Sequence, residues 1–463
     1  MNVYLTYLGC RLNESEIETL AGRFSENGHQ VVRDPAEADL CVVNTCTVTG
    51  EAGRKSRQLV RRLTRLNPSA QIAVTGCHAT LLPDQVARLP NVTWVVDNAD
   101  KERLADLVLP PSPPATPPSE QEPSSRLGPG ALRHTRAFVK VQDGCDNHCT
   151  FCVITIARGP GRSRPLRQIV AEVQGLVEAG FQEVVLSGVR LGSYRRDDQA
   201  VDERPDRHLY QLVEALLAET DIPRLRLSSL EPWDLSPDFF DLWTDSRLCR
   251  QLHLPLQSGS DDVLRRMARR ITAAGFAELV AEARARIAGL SVTTDLIAGF
   301  PGETDEMFKE GYRFVREMAF ARLHVFPYSP RPGTAAARMP DQVAAQVKAA
   351  RGRALRQLGE GQVRAFQEQF LGRTLPVLWE GSGADGVWRG HTDNYMTVTT
   401  SCASNLFNRI TPTRLVEAVG QELRGEVERG GDRKGFDNKP GGDYNSVHVS
   451  SAGRHNSPPC NRG

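Results

Sequence analysis

The first hundred residues alternate short apolar runs with longer amphipathic stretches. The runs VYLTYLG, DLCVVNT, QIAVTG and TWVVD predict strands, and the stretches between them predict helices at 13–28, 51–66 and 83–88. We expect the first helix to begin with Asn13 as its N-cap and to end before Gly28. This alternation is typical of an open parallel sheet with helices on its faces.

A second alternation runs from about residue 132 to 340. Its strand candidates are FVKVQ, EVVLSG, RLRLSS, QLHLPL, SVTTDLIAG and RLHVFPY, with helical stretches such as 167–179 and 273–288 among them. Six parallel strands with helical crossovers predict a partial (β/α) barrel. A helix-forming run then covers 342–370, interrupted around Gly359. Short strands with glycine and threonine punctuation follow and predict a small antiparallel β-barrel.

These changes of pattern give an α/β fold class and divide the 463-residue chain into segments. The predicted segments are an N-terminal sheet domain (1–105), a Pro/Ser-rich linker (106–131), the partial barrel (132–345), a connecting helix (346–371), the small β-barrel (372–428) and a tail expected to be disordered (429–463).

Composition narrows the class of protein. The chain is 40% hydrophobic and 24% charged with a formal net charge of +1, so bulk charge directs it neither to nucleic acid nor to a membrane. No apolar run approaches the ~20 residues that span a bilayer, and the start MNVYLTYLGC lacks the features of a secretory signal. We therefore expect a cytoplasmic protein, in which ten cysteines favour metal or redox chemistry over disulfides.

Three cysteines stand close together in GCDNHCTFC, at positions 145, 149 and 152. They follow the predicted strand FVKVQ and so lie at the C-terminal mouth of the barrel, where barrel enzymes place their chemistry. A structural zinc site normally has four ligands; His148 would be the fourth, but its adjacency to Cys149 makes joint ligation geometrically poor. A four-iron cluster on three thiolates instead leaves one iron open, which can bind S-adenosylmethionine.

A second trio is spread along the N-terminal domain. Cys10, Cys46 and Cys77 each follow a predicted parallel strand, so they are expected to converge on one edge of the sheet. Buried free cysteines are common, but three at equivalent strand ends favour a site. The remaining cysteines are interpreted as a core residue or as ordinary thiols: Cys41, Cys249, Cys402 and Cys460.

The chain resembles the methylthiotransferase family of radical S-adenosylmethionine enzymes over essentially all of residues 1–428. The resemblance rests on YLGCRLNESE, VVNTCTVT, VTGC, QDGCDNHCTFC, ARGPGRSRP, LSGVRLGSY, LHLPLQSGS, TTDLIAGFPGET and FPYSPRPGTAAARMP. Thr155 departs from it, because the family usually has proline there; we expect an effect on loop stiffness rather than on chemistry.

The resemblance implies two [4Fe-4S] clusters and two S-adenosylmethionine molecules per turnover. One cluster, which makes the radical, would be bound by Cys145, Cys149 and Cys152. The other, an auxiliary cluster carrying the inserted sulfur, would be bound by Cys10, Cys46 and Cys77. A reducing system must supply electrons, and nothing in the sequence identifies it.

Other cofactor contacts are predicted around the barrel mouth. The superfamily commonly binds the methionine amino group at the position of Ser187 and Gly188. Phe151 is of the type that packs on adenine, with simple loop packing as the alternative. Gln257 and Asp295 lie near strand ends facing the mouth, where they would contact cofactor or substrate or else organise loops.

The family modifies either an adenosine beside the tRNA anticodon or an aspartate of a ribosomal protein. The segments LGCRLNESE and VFPYSPRPGTAAARMP are more similar to the branch that acts on N6-threonylcarbamoyladenosine at position 37 of tRNA. The C-terminal barrel resembles the TRAM module, an RNA-binding fold. Basic patches in GRKSRQLVRRLTR and at Arg158, Arg162 and Arg164 suit phosphate contacts, although most charge runs are solvated faces.

The sequence therefore predicts a monomeric enzyme that adds a methylthio group to C2 of this nucleoside in the anticodon stem-loop. Three alternatives stay open. Two are the isopentenyladenosine-37 branch and the ribosomal-protein branch of the same family. The third is a non-catalytic, metal-stabilised RNA-binding protein, for which the closed ligand sets of a structural site would be expected.

Overall fold

The computed structural model describes residues 1–109, 129, 135–196, 206–383 and 386–428. Most of the predicted linker and the whole predicted tail, 429–463, lie outside them. The described chain up to Glu428 belongs to one compact unit, within which the predicted domain boundaries stay predictions. Among these residues, no helix is long and apolar enough to cross a membrane.

The N-terminal region forms the predicted parallel sheet, in the order β2-β1-β3-β4-β5. Its strands are β1 (Asn2–Tyr7), β2 (Gln30–Val32), β3 (Leu40–Thr45), β4 (Gln71–Gly76) and β5 (Val92–Val95). Its helices are α1 (Arg11–Glu26), α2 (Gly50–Leu66), α3 (Cys77–Leu81), α4 (Pro83–Ala87) and α5 (Leu104–Val108). The three-residue β2 was not predicted, and α5 continues past the expected boundary at 105.

The start of α1 differs from the prediction. Cys10 occupies the N-cap position, so the assignment of Asn13 as the cap is wrong. Asn13 is instead buried inside the helix, and its side-chain amide donates to the carbonyls of Leu8 (2.7 Å) and Thr45 (3.3 Å). A polar residue that normally favours helix ends is here held by tertiary hydrogen bonds, which local sequence patterns do not show.

The central region is the predicted partial barrel. Its strands are β6 (Arg136–Asp143), β7 (Arg162–Ser163), β8 (Glu183–Gly188), β9 (Arg224–Leu227), β10 (Gln251–His253), β11 (Ser291–Ala298) and β12 (Arg322–Pro327). Its helices are α6 (Ile154–Arg158), α7 (Leu166–Glu178), α8 (Arg207–Glu219), α9 (Asp261–Arg266), α10 (Ala273–Arg286), α11 (Asp305–Met318) and α12 (Ala345–Glu368).

The six predicted strands run parallel in two sheets, β6-β8-β9 and β10-β11-β12. Single bridges, Leu225 to Leu248 and Ser229 to His253, join the two sheets. The added strand β7 was not predicted and pairs antiparallel with β6. This arrangement confirms a partial barrel whose strand ends share one mouth.

Helix α12 runs without the predicted interruption at Gly359. A Cβ atom at this position would lie 3.2 Å from the Cβ atom of Leu323 on β12. The glycine therefore allows the helix to pack closely on the strand, and reading it as a helix break was wrong.

The C-terminal region closes into a five-stranded barrel. Its strands are β13 (Thr374–Ser382), β14 (Val387–Thr392), β15 (Thr397–Ser401), β16 (Ile410–Val419) and β17 (Glu422–Val427). The order around the barrel is β13-β14-β15-β17-β16. The pair β15 and β17 is parallel, so the expectation of a purely antiparallel barrel needs this correction.

Candidate active site

Cys10, Cys46 and Cys77 lie together at the carboxyl edge of the N-terminal sheet. They follow β1, β3 and β4, which are neighbours in the sheet, and their thiols are close enough for their charges to interact. Gly9 has φ +121°, and a Cβ atom there would lie 2.6 Å from the Cβ atom of Cys46. The glycine thus lets the Cys10 loop approach Cys46, as a shared site requires.

The surroundings of this trio suit a metal-bound state. Burial raises the pKa of the Cys46 thiol to about 12, so a free thiolate is disfavoured unless a metal replaces the proton. The amide nitrogen of Asn98 lies 3.8 Å from the Cys77 sulfur. Among the residues that the structure describes, the two ring nitrogens of the buried His78 have no hydrogen-bond partner. Such orphaned polar atoms beside three thiols fit a polar group that binds in the site.

Arg158 lies beside this trio and not on the surface. Only 4% of it is exposed. Its guanidinium donates to Glu16 (2.8 Å), Asp143 (2.9 Å) and Asn13 (2.9 Å). The prediction that Arg158 contacts RNA phosphates is therefore wrong, because the group is buried and already paired. Arg158 instead connects α1 of the N-terminal sheet to the end of β6.

The charges in this contact support one another. Burial alone would raise the pKa of Glu16, but Arg158 and Lys101 hold it well below its usual range. Lys101 lies 2.7 Å from the second carboxylate oxygen of Glu16. Asp143 is likewise held below its usual pKa by Arg158 and Lys140, against the effect of burial. Since Asp143 precedes Gly144 and Cys145, the network links the two cysteine sites.

Cys145, Cys149 and Cys152 lie in the loop between β6 and α6. Their thiols interact electrostatically, and the backbone N–H of Asn147 points at the Cys145 sulfur at 3.4 Å. Gly144 has φ +71°, and a Cβ atom there would lie 1.9 Å from the Pro160 carbonyl oxygen. The loop therefore turns at a position that only glycine can occupy.

The zinc alternative gains no support from this geometry. His148 is exposed. In the part of the chain that the structure describes, no group of three or more His, Cys, Asp or Glu side chains is arranged to hold a single metal ion. The role of all six cysteines as cluster ligands stays a prediction.

One charged group beside the second trio was missed by the sequence analysis. The Arg269 side chain approaches the Cys149 sulfur at 4.0 Å and pairs with Glu231 at 2.7 Å. Its guanidinium also lies 4.2 Å from the centre of the Trp233 ring. A cation held in this way favours negative charge at the thiol site. Arg269 and Glu231 are 38 residues apart, so no local pattern could indicate their contact.

The predicted cofactor residues have mixed surroundings. Phe151 packs edge-on against Phe300, with ring centroids 6.4 Å apart. The buried Ser187 hydroxyl donates to the Val185 carbonyl at 3.4 Å, and Gly188 follows it at the strand end. These contacts give both side chains a structural role, and contact with a cofactor stays a prediction for them.

Gln257 and Asp295 lie next to each other at the mouth. The backbone N–H of Gln257 donates to the Asp295 carbonyl at 2.8 Å, and Gln257 has φ +73°. A residue other than glycine in this left-handed conformation is strained, and such residues cluster at functional sites. The carboxylate of Asp295 lies 3.4 Å from His253, which lowers the pKa of Asp295 although burial alone would raise it.

The other two predicted RNA-contacting arginines are accessible to different degrees. Arg162 is exposed. Arg164 is half-buried, donates to the Lys140 carbonyl at 2.7 Å and pairs with Glu172 at 2.7 Å. Arg162 is thus available for a phosphate, whereas Arg164 already has partners.

The C-terminal barrel contacts α1 and the partial barrel. The hydroxyl of Tyr395 accepts hydrogen bonds from Arg11 (3.0 Å) and Arg136 (3.0 Å). Arg11 directly follows Cys10. Arg226, on β9 of the partial barrel, donates a hydrogen bond to the Asp393 carbonyl at 2.9 Å. These hydrogen bonds therefore connect the C-terminal barrel to both other regions.

Comparisons with protein families cover both cysteine sites. Residues 2–97 match the uncharacterized protein family UPF0004, and residues 139–315 match the radical SAM superfamily.

Named relatives extend over most of the chain. A Bacillus subtilis protein named threonylcarbamoyladenosine tRNA methylthiotransferase MtaB is 35% identical over 430 residues, which cover 89% of this chain and 93% of the relative. A Thermotoga maritima protein of the same name is 34% identical and covers 85% and 90%. A Methylobacillus flagellatus protein named tRNA-2-methylthio-N(6)-dimethylallyladenosine synthase is 32% identical and covers 92% and 98%.

A solved structure confirms the fold alone. The radical S-adenosylmethionine methyltransferase TsrM from Kitasatospora setae, with cobalamin and a [4Fe-4S] cluster bound, superimposes with a TM-score of 0.53. It is 16% identical and covers 73% of this chain and 74% of its own.

Proposed function

We propose that this chain, which belongs to the radical S-adenosylmethionine methylthiotransferases, adds a methylthio group to N6-threonylcarbamoyladenosine in tRNA. The observation that carries the proposal is the pair of three-cysteine sites, one in each family-matched region. The modified atom is C2 of the nucleoside at position 37, beside the anticodon. The enzyme acts on the anticodon stem-loop as a monomer in the cytoplasm, with electrons from a cellular reducing system.

The residues of both sites fit [4Fe-4S] clusters. Cys145, Cys149 and Cys152 would hold one cluster, and Cys10, Cys46 and Cys77 would hold the auxiliary one. The bound clusters and S-adenosylmethionine supply homolytic chemistry and a sulfur atom, which acid–base groups of a protein cannot supply at an unreactive C–H bond.

The protein's own groups orient and shield these sites. Arg158 fixes α1 against β6, so that the two trios keep one relative position. Arg269 places positive charge beside Cys149 and is itself held by Glu231. Cys46 and Cys77 are buried, whereas Cys10 is exposed, so the auxiliary site opens to solvent at Cys10. Gln257 and Asp295 would position cofactor or substrate at the mouth.

The dimethylallyladenosine branch is the second candidate, because a relative with that activity in its name covers 92% of this chain. The relatives named for threonylcarbamoyladenosine include those with the higher identities, 35% against 32%, and they favour our assignment.

The test is a parallel reaction of cluster-reconstituted protein on two tRNAs. One carries threonylcarbamoyladenosine and the other isopentenyladenosine, and nucleoside mass spectrometry measures the methylthio product. We expect product only from the first tRNA. Cys77→Ala should abolish it, whereas Cys41→Ala, a matched change of a buried cysteine in the same sheet, should preserve it. Product from the isopentenyl tRNA alone would contradict the assignment.

A further inference from the structure

The outer side of α2 carries five basic residues, which we call the α2 basic face. They are all exposed: Arg54, Lys55, Arg61, Arg62 and Arg65. The opposite side of the helix is buried at Gly53, Ser56, Val60 and Leu63, which recur at helical spacing and pack on the sheet. The sequence indicated the basic run, and the structure adds that one continuous side of the helix presents it to solvent.

Most of this charge is not neutralised within the protein. Glu51, at the start of the helix, is the partner of Arg54 (3.7 Å) and Lys55 (3.1 Å). Within the described residues, Arg61, Arg62 and Arg65 form no ion pair. Protonated side chains without a counter-charge attract a polyanion, and no carboxylate competes with it for them.

The C-terminal barrel, which resembles an RNA-binding module, differs in this respect. Exposed arginines of its strands are each paired with a glutamate: Arg389 with Glu422 (3.3 Å), Arg414 with Glu426 (2.6 Å) and Arg424 with Glu417 (3.2 Å). These pairs reduce the positive field on that side of the barrel. On α2, by contrast, Arg61, Arg62 and Arg65 have no such glutamate partner within the described residues.

The buried side of α2, opposite the basic face, packs against the auxiliary cysteine site near the start of the helix. Ser56 of α2 exchanges hydrogen bonds with the backbone of Cys46, at 3.0 and 3.3 Å. From Arg54 to Arg65 the face extends about 16 Å along the helix axis, at ~1.5 Å per residue. A strand of RNA lying on this face would thus bind the helix whose opposite side packs against the Cys46 backbone.

We propose that the α2 basic face binds the phosphodiester backbone of the substrate RNA and presents it to the auxiliary site. The proposal rests on the proposed function, in that the substrate is a tRNA. Charge complementarity carries it: Arg61, Arg62 and Arg65, which form no ion pair within the described residues, lie on one helix, and that helix packs against the backbone of Cys46. Backbone contacts of this kind set position and affinity without reading sequence.

The experiment measures binding of a fluorescein-labelled anticodon stem-loop to the reconstituted protein across a series of salt concentrations. Replacing Arg61, Arg62 and Arg65 together by Gln should make the negative slope of the log association constant against log salt concentration shallower by about 2 to 3, at ~0.7–0.9 per lost phosphate contact. Affinity at 0.1 M salt should fall at least ~10-fold. The same three positions changed to Lys should keep both values, because lysine also contacts phosphate as a point charge.

The matched control replaces three exposed arginines of α12 by Gln: Arg353, Arg356 and Arg364. It changes the net charge equally and should leave the slope unaltered, while thermal midpoints verify that each variant is folded. If the α2 glutamine variant binds the stem-loop as the parent does, or if the α12 variant loses as much affinity, the role of the α2 basic face is refuted but the proposed function is not. Failure of the unmodified protein to bind the stem-loop would overturn the proposed function as well.

Discussion

Replacement of Arg158 by methionine tests the contact between the two cysteine sites. The Arg158 side chain is 2% exposed, and its guanidinium pairs with Glu16 and Asp143. Methionine keeps a similar volume but leaves two buried carboxylates without this partner. Breaking a buried ion pair by removing one member costs ~3–5 kcal/mol. Because Lys101 still pairs with Glu16, we expect about 3 kcal/mol, the lower end of that range.

The assay is urea denaturation of the apoprotein at pH 7. It measures the free energy of unfolding from the transition that includes the N-terminal sheet. Arg162→Met is the control, since it removes an exposed arginine from the same segment and should change the free energy of unfolding by less than ~0.5 kcal/mol.

The pH dependence provides a second check on the same variant. The pKa values of Glu16 and Asp143 are depressed in the folded protein. Their stabilisation is therefore present above the carboxylate pKa of the unfolded chain, about 4, and is lost as pH falls through the lower folded values. The deficit of Arg158→Met should shrink below about pH 4. A free energy of unfolding equal to that of the parent at pH 7 would refute the reasoning.

Two further predictions follow from single positions. Burial and the nearby Glu14 raise the pKa of Glu18 to about 8, so the stability that protonated Glu18 contributes is present at low pH and is lost as pH rises through 8. Glu18→Gln should therefore raise the thermal midpoint relative to the parent more at pH 9 than at pH 5. A pH-independent difference would contradict this. Gly144→Ala should remove about half of the bound iron, one cluster of two, because its Cβ atom would meet the Pro160 carbonyl. Gly159→Ala, at a similar φ but with open space around it, should retain the iron, and equal iron contents in the two variants would show that the clash is unimportant.

Local patterns predicted most of the elements and both cysteine trios. Strand runs such as QIAVTG are continuous and apolar because the middle of a parallel sheet is buried on both faces, and cysteines that follow such strands must share an edge. These inferences depend only on neighbours in sequence and on the parallel connection, so the structure agrees with them.

Contacts between distant segments were not predictable in the same way. Arg158 is 142 residues from Glu16, and within GPGRSRP and its neighbours it resembles the exposed Arg162. Gly359 looked like a helix break because its reason, the close approach of Leu323, lies on another element. In each case, tertiary packing outweighs the local preference of the residue.

Nucleoside mass spectrometry of tRNA from cells that lack this protein tests the central claim most directly. The account predicts loss of the methylthio group from threonylcarbamoyladenosine alone, with restoration by the wild-type chain and not by Cys77→Ala. An unchanged tRNA profile in the deleted cells would contradict the assignment to tRNA.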